Sequence, residues 1–251
     1  MVTVDVQEAV AALAQQADAS QKQVKFATRV ALTRTAQKAA QAQVKEMRDI
    51  FHSPTPYTLS SMFVRPATAQ RLSAEVKLKD DATKATPAAK FLAAQIDGGT
   101  RAQKRFERAL QAVGAMPPGF RAVPGAGAKL DAYGNISRGQ IVQILAFFQA
   151  FPEAGYKANM TAASRARLAR GTRTRPGVAY FVGSPGDRLP LGIWQRINFA
   201  QGSAIKPVLL FVRTADYQPI YDFRFVAEKT IEQEFAGEFE AAYAEAQRTA
   251  R

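Results

Sequence analysis

The chain has 251 residues, of which 47% are apolar, with no cysteine, one histidine and a formal net charge of +13. That length fits one large domain or a domain with an extension, and the apolar content allows a sizeable packed core. The missing cysteines exclude disulfides, thiolate catalysis and cysteine-ligated zinc, and a single histidine leaves nothing from which to build an imidazole metal cluster.

The first fifty residues contain neither glycine nor proline and are rich in Ala, Gln and Lys, a composition that predicts helix. From Phe26 a seam recurs at alternating steps of four and three: Phe26, Val30, Thr33, Gln37, Ala40, Val44, Met47 and Phe51. This is an a/d pattern with weak members in its middle. A narrow stripe of this kind lies either against its own domain or against a neighbouring subunit, so Phe26, Val30, Val44, Met47 and Phe51 are candidate interface residues. Ser53-Pro54-Thr55-Pro56 ends the helix, since two prolines cannot continue it. The expected organisation is a helical arm over residues 1–53 and a core domain over 54–251.

Within the core, Arg71–Lys79 alternates, with Leu72, Ala74, Val76 and Leu78 on one face, as a half-buried strand does. Thr86-Pro87 reads as a helix start running through Ala94. Thr100 with Gln103 reads as a capping box, leading a helix of Phe106, Ala109, Leu110 and Val113 to a stop at Gly114. Residues 115–135 are rich in proline and glycine and read as an ordered loop or a flexible connector. Ser137 with Gln140 is a second capping box, and Arg138–Phe151 is the most apolar helix of the chain. Strands are expected at Val178–Val182, Leu191–Phe199 and Val208–Arg213, with the last, a continuous apolar run, in the middle of the sheet. In the second, Leu191, Ile193, Ile197 and Phe199 share a face. Phe225–Ala246 predicts a closing helix with Ile231, Phe235, Phe239 and Ala242 on its stripe and acids opposite. The fold class is α+β: a small, mostly antiparallel sheet packed with helices, plus a long N-terminal and a C-terminal helix.

Charge is unevenly spread. Residues 228–251 hold six acids and three bases, net −3, so residues 1–227 carry +16. Such a field attracts polyanions and also aids solubility. Its densest part is residues 157–175, with Lys157, Arg165, Arg167, Arg170, Arg173 and Arg175 and no acid, read as a mobile or partner-ordered basic loop. Arginine forks suit phosphates; contact with DNA and docking on an acidic protein surface both fit. Tyr156 and Tyr180 only flank the segment, so a stacking surface for single strands finds little support here.

No constellation for chemistry emerges. His52, the one histidine, follows the long helix and is expected to make polar contacts at its end. Gly125-Ala-Gly127-Ala-Lys129 lacks the spacing of a phosphate-binding P-loop. Asp80, Asp81, Asp97 and Asp131 sit beside turn residues, where aspartate serves local hydrogen bonding. No nucleophile elbow exists, and neither a catalytic role nor a cofactor is expected. The longest apolar runs, Ile141–Phe151 and Pro207–Val212, fall short of the roughly 20 residues a membrane helix needs, and the Met-Val-Thr-Val-Asp start carries no secretory pattern, so no membrane partner is expected.

Several blocks carry a resemblance: Pro54-Thr-Pro-Tyr-Thr-Leu59, Thr86-Pro-Ala-Ala-Lys90, Gln95-Ile-Asp-Gly-Gly99, Lys104-Arg-Phe-Glu-Arg108, Ala128-Lys-Leu-Asp-Ala-Tyr-Gly-Asn135, Arg138-Gly-Gln-Ile141, Leu191-Gly-Ile-Trp-Gln-Arg196 and Lys206-Pro-Val-Leu-Leu-Phe211. Together they resemble tailed-phage proteins of the minor tail protein Z or tail-completion group, over roughly Lys25 to Phe225. The resemblance implies a non-enzymatic virion component, assembled in the host cytoplasm. It would form a homo-oligomeric ring at the neck, between portal, adaptor or tail-tube proteins, around the packaged DNA. The arginine-rich segment is longer and more basic than the resemblance implies. The competing reading is a free nucleic-acid-binding protein acting through that segment.

Overall fold

The computed structural model describes residues 2–5, 21–83, 85–151, 158–199, 201–214 and 216–249. In chain order these form strand β1 (Val2–Asp5), helices α1 (Gln21–Ile50) and α2 (Pro56–Leu59), strands β2 (Met62–Arg65) and β3 (Ser73–Leu78), and helix α3 (Ala88–Ile96). Then come β4 (Gly99–Thr100), α4 (Arg105–Ala112), β5 (Arg121–Pro124), α5 (Arg138–Phe147), α6 (Ala162–Arg170), β6 (Gly177–Gly183), β7 (Gly192–Phe199), β8 (Gly202–Val212), β9 (Asp216–Tyr217) and α7 (Phe223–Thr249). The architecture is α+β.

The chain divides into two compact units, residues 1–99 with 217–251 and residues 100–216. The boundary is therefore not at residue 53. The reason lies in α1, which packs into the first unit along its length instead of standing apart as an arm. One further expectation changes at the N-terminus, where residues 2–5 are strand, paired with β3 in the register Val2↔Val76; the helix expected over residues 6–20 lies outside the described residues.

In the first unit, β1, β3 and β2 make an antiparallel sheet with β3 in the middle. Leu32, Ala36, Ala39, Ala40 and Met47 of α1 meet Ala74 and Val76 of β3, Leu92 of α3, and Tyr221 and Phe223 at the start of α7. Further along, Ala27 and Ala31 face Phe239 and Ala242, and the three alanines allow α1 and α7 to approach closely. Polar groups complete the seam. Lys38 bridges Glu234 and Glu238, each at 2.6 Å, and Arg34 reaches Glu245 at 3.3 Å. Hydrogen bonds from Lys38 to the two carboxylates hold its ammonium above the ordinary lysine range. Part of the basic outer face of α1 is thus matched by the acidic face of α7. Buried Gln43 accepts from the Tyr221 hydroxyl at 2.5 Å and donates to the Phe223 carbonyl at 2.7 Å, fixing where α7 begins. Burial, assisted by the charge of Glu46, pushes the Tyr221 phenol well above its usual range, so it stays a donor.

The second unit is a four-stranded antiparallel sheet in the order β5-β8-β7-β6. The apolar β8 is interior, as its run of Pro207–Val212 implies. Leu110 of α4 and Ile144 and Leu145 of α5 pack with Met116 against Tyr180, Ile193, Val208, Leu209 and Phe211. Ser137 caps α5 by accepting the Gln140 N–H, but the Gln140 side chain turns away to Lys129 and Gly127. The start of α4 corrects the Thr100/Gln103 reading: Lys104 is the N-cap residue and Glu107 supplies the carboxylate. Likewise α3 starts at Ala88 behind Pro87, without a side-chain cap from Thr86. The 115–135 connector contains β5, paired with β8 from Arg121↔Val212 to Pro124↔Leu209; Pro124 is tolerated because it ends an edge strand.

Candidate functional site

Within the described part of the basic segment, Ala162–Arg170 is helix, not loop. Thr161 caps α6 by accepting the Ser164 N–H at 3.2 Å, and the helix runs through Arg170 to Gly171, whose φ of 72° is one that glycine adopts without strain. A tight turn follows: Thr172 N–H donates to the Arg175 carbonyl at 2.9 Å, and Arg175 N–H donates to the Thr172 hydroxyl at 3.1 Å. The turn then enters β6 at Gly177, where a side chain would run into the Ala169 carbonyl oxygen. Asn198 of β7 donates its amide to that same carbonyl at 2.9 Å. In place of the expected mobile or partner-ordered loop, the described residues form a helix and a tight turn held by a cap, close glycine packing and this cross-link.

The structure brings most of the predicted basic residues together. Arg165 is half-buried, its guanidinium 6.0 Å from the centre of the Phe147 ring. Arg167, Arg170, Arg173 and Arg175 are exposed and form no ion pair among the described residues. Lys157 lies outside the described residues. Two hollows flank the turn. One, of about 760 Å³, is lined by Lys129, Arg167 and Arg175 with Gln143, Tyr180 and Gln195. The other, of about 540 Å³, is lined by Arg170, Arg173 and Arg175 with Thr172, Asn198 and Phe199. Neither lining includes a carboxylate. Burial pushes the Tyr180 phenol up, and its hydroxyl donates to Gln143 at 2.9 Å.

Lys129, Asn198 and Phe199 are the residues that sequence reasoning missed. Nothing local joins them to the arginines: the pairing of β6 with β7, from Gly177↔Asn198 to Gly183↔Gly192, brings Asn198 and Phe199 near, while Lys129 is placed by backbone hydrogen bonds to the Gln140 side chain and from Ser137. Phe199 also departs from the expected stripe. Ile193 is fully buried, yet Phe199 is 54% exposed, because the hairpin runs on beyond the covered part of the sheet and Gly202–Lys206 is mostly exposed too.

Charge is segregated between the units. Residues 100–216 hold 17 basic and 5 acidic residues, net +12. The rest of the chain holds 17 basic and 16 acidic residues, net +1.

The interface seam divides. Met47 is fully buried in its own unit, Phe51 packs edge-on against Tyr221 at 5.7 Å, and Val30 packs on the Phe239 cluster, so these three serve the fold. Phe26 stays exposed beneath Arg29, and Val44 lines a shallow groove with Ala40, Lys45, Arg48 and Met62. His52 is exposed past the end of α1 and makes none of the expected helix-end hydrogen bonds among the described residues. Among the described residues no three His, Cys, Asp or Glu side chains come together to hold a metal, and no helix is long and apolar enough to cross a membrane. Comparison of the chain with protein-family models, with curated proteins and with solved structures finds no match.

Proposed function

We propose that the chain is a non-enzymatic building block of a tailed-phage virion, acting at the head–tail joint, neck or tail-completion position. In this reading it assembles into a ring around the DNA channel and docks on portal, adaptor or tail-tube proteins. The observation that carries the reading is the segregation of charge, +12 on residues 100–216 against +1 on the remainder. A connector subunit has to bind neighbours through one surface and border a polyanion with another, and two units of such different charge supply both. The blocks that resemble the tail-completion group occur in both units, from Pro54–Leu59 to Lys206–Phe211, which supports a role for the whole chain.

Removing α1 would take the core of its unit with it, so assembly is tested on the full chain. Negative-stain images and light scattering of the purified protein are expected to show closed rings. A chain that stays monomeric at every concentration would count against the proposal.

A second reading has its own support in the four exposed arginines around a turn free of carboxylates: direct contact with nucleic-acid phosphates. Replacing Arg167, Arg170, Arg173 and Arg175 together by alanine is expected to weaken binding to any sequence alike. The slope of log K against log salt should fall by about 0.7–0.9 for each phosphate that is no longer neutralised. An unchanged slope would remove this reading.

A further inference from the structure

We infer that the hollow beside the 172–175 turn receives an unpaired nucleotide strand, with arginines on its phosphates and Phe199 stacked on a base. The inference rests on the nucleic-acid reading above and adds which form of nucleic acid is held.

Three observations combine. First, the turn is a ridge between two hollows that share Thr172, Arg175 and Pro176, so a chain crossing it meets Arg170 and Arg173 on one side and Arg167 and Lys129 on the other. Second, the backbone of the site is cross-linked and closely packed. Asn198 ties the end of α6 to β7, and Gly171 and Gly177 leave no room for side chains between the helix end and the strand, so the guanidinium groups are carried by ordered backbone. Third, Phe199 projects an exposed ring into the same hollow as three arginines.

The third observation decides the class of ligand. A protein-docking surface gathers apolar side chains at its centre and keeps charge to the rim. Here one ring stands among guanidinium groups, with the Thr172 and Thr174 hydroxyls nearby. That is the composition of a surface that tracks a phosphate backbone and stacks its bases, which every base face satisfies without sequence reading. A duplex keeps its base faces inside the stack and offers Phe199 little to cover. The arginines alone would serve either form; the ring favours the unpaired one.

The test uses the full chain at low salt and follows the fluorescence anisotropy of a labelled thymidine oligonucleotide of about 12 residues, within the usual span of single-strand sites, beside a duplex of equal length. The oligonucleotide is expected to bind more tightly than the duplex. Phe199→Ala should weaken oligonucleotide binding about tenfold while leaving duplex binding nearly unchanged. Phe199→Trp, which keeps a stacking face, should restore it. Because Phe199 is exposed, neither variant should disturb folding. If Phe199→Ala leaves oligonucleotide binding unchanged, or weakens both ligands equally, the stacking inference is overturned while phosphate contact stands. If the unsubstituted chain binds neither ligand, both fall, and the arginines are left to an acidic protein partner.

Discussion

Glu107→Gln is expected to destabilise the 100–216 unit by about 3–5 kcal/mol, the cost of leaving one member of a buried ion pair without its counter-charge. For a unit of this size that corresponds to a fall in midpoint temperature on the order of 10–20 °C, readable by calorimetry or circular dichroism. The reason is the number of groups that one carboxylate satisfies. Glu107 is fully buried and accepts from both Arg101 terminal nitrogens, at 2.5 and 3.0 Å, from the Ala122 N–H at 2.8 Å and from the Lys104 N–H at 2.7 Å. It thereby joins the start of α4 to the edge strand β5. Burial would push its carboxyl up, but the Arg101 hydrogen bonds and the two backbone donors outweigh burial and hold it below the ordinary carboxylate range. A depressed folded-state value means stability that is fully present above the unfolded-state pKa, about 4.3, and is lost as pH falls through the folded-state value. The unsubstituted unit should therefore lose stability on acidification below about pH 4.3, while Glu107→Gln lacks that part of the loss. Equal acid sensitivity in both proteins would contradict the assignment.

Met47→Ala is expected to cost about 2–5 kcal/mol in denaturant titrations of the full chain, the range for deleting most of a buried methionine side chain. Met47 has no exposed surface and sits with Leu32, Leu92 and Tyr221. The Ser61 hydroxyl contacts its sulfur at 3.8 Å. The same stripe offers its own control: Phe26→Ser, at a position 39% exposed, should change stability by no more than about 0.5 kcal/mol. Were the seam a contact between subunits, the order would be inverted, with Met47→Ala altering assembly and leaving the monomer's stability intact.

The contrast between these two residues shows what the sequence reveals and what it withholds. Periodicity located α1, the Ser73–Leu78 strand, the central strand and the closing helix, because apolar spacing is set by helix and strand geometry that the chain carries locally. It could not say what the α1 stripe lies against. That depended on α7, nearly 200 residues away, where Glu234, Glu238 and Glu245 meet Lys38 and Arg34. The same limit applies to the basic segment. Its arginines were legible from composition, but their order was not, since it comes from Gly171, Gly177 and the Asn198 amide meeting across the sheet. The exposed aromatic ring beside these arginines, Phe199, is brought there by strand pairing and not by neighbourhood in the sequence. Similarly, the capping pattern at Thr100 and Gln103 lost to Lys104 and Glu107, because Glu107 has a buried partner on β5, the Ala122 N–H, that fixes where α4 begins.

If the chain works by docking within a larger particle, its cationic unit bordering a polyanion, it must be a part of that particle. The most direct measurement is peptide mass spectrometry of purified virions induced from the genome that encodes the chain, with copy number referenced to the portal protein. Peptides from both units should be present at a small integer multiple of the portal subunit. Their absence from particles that are complete and infectious would contradict a structural role.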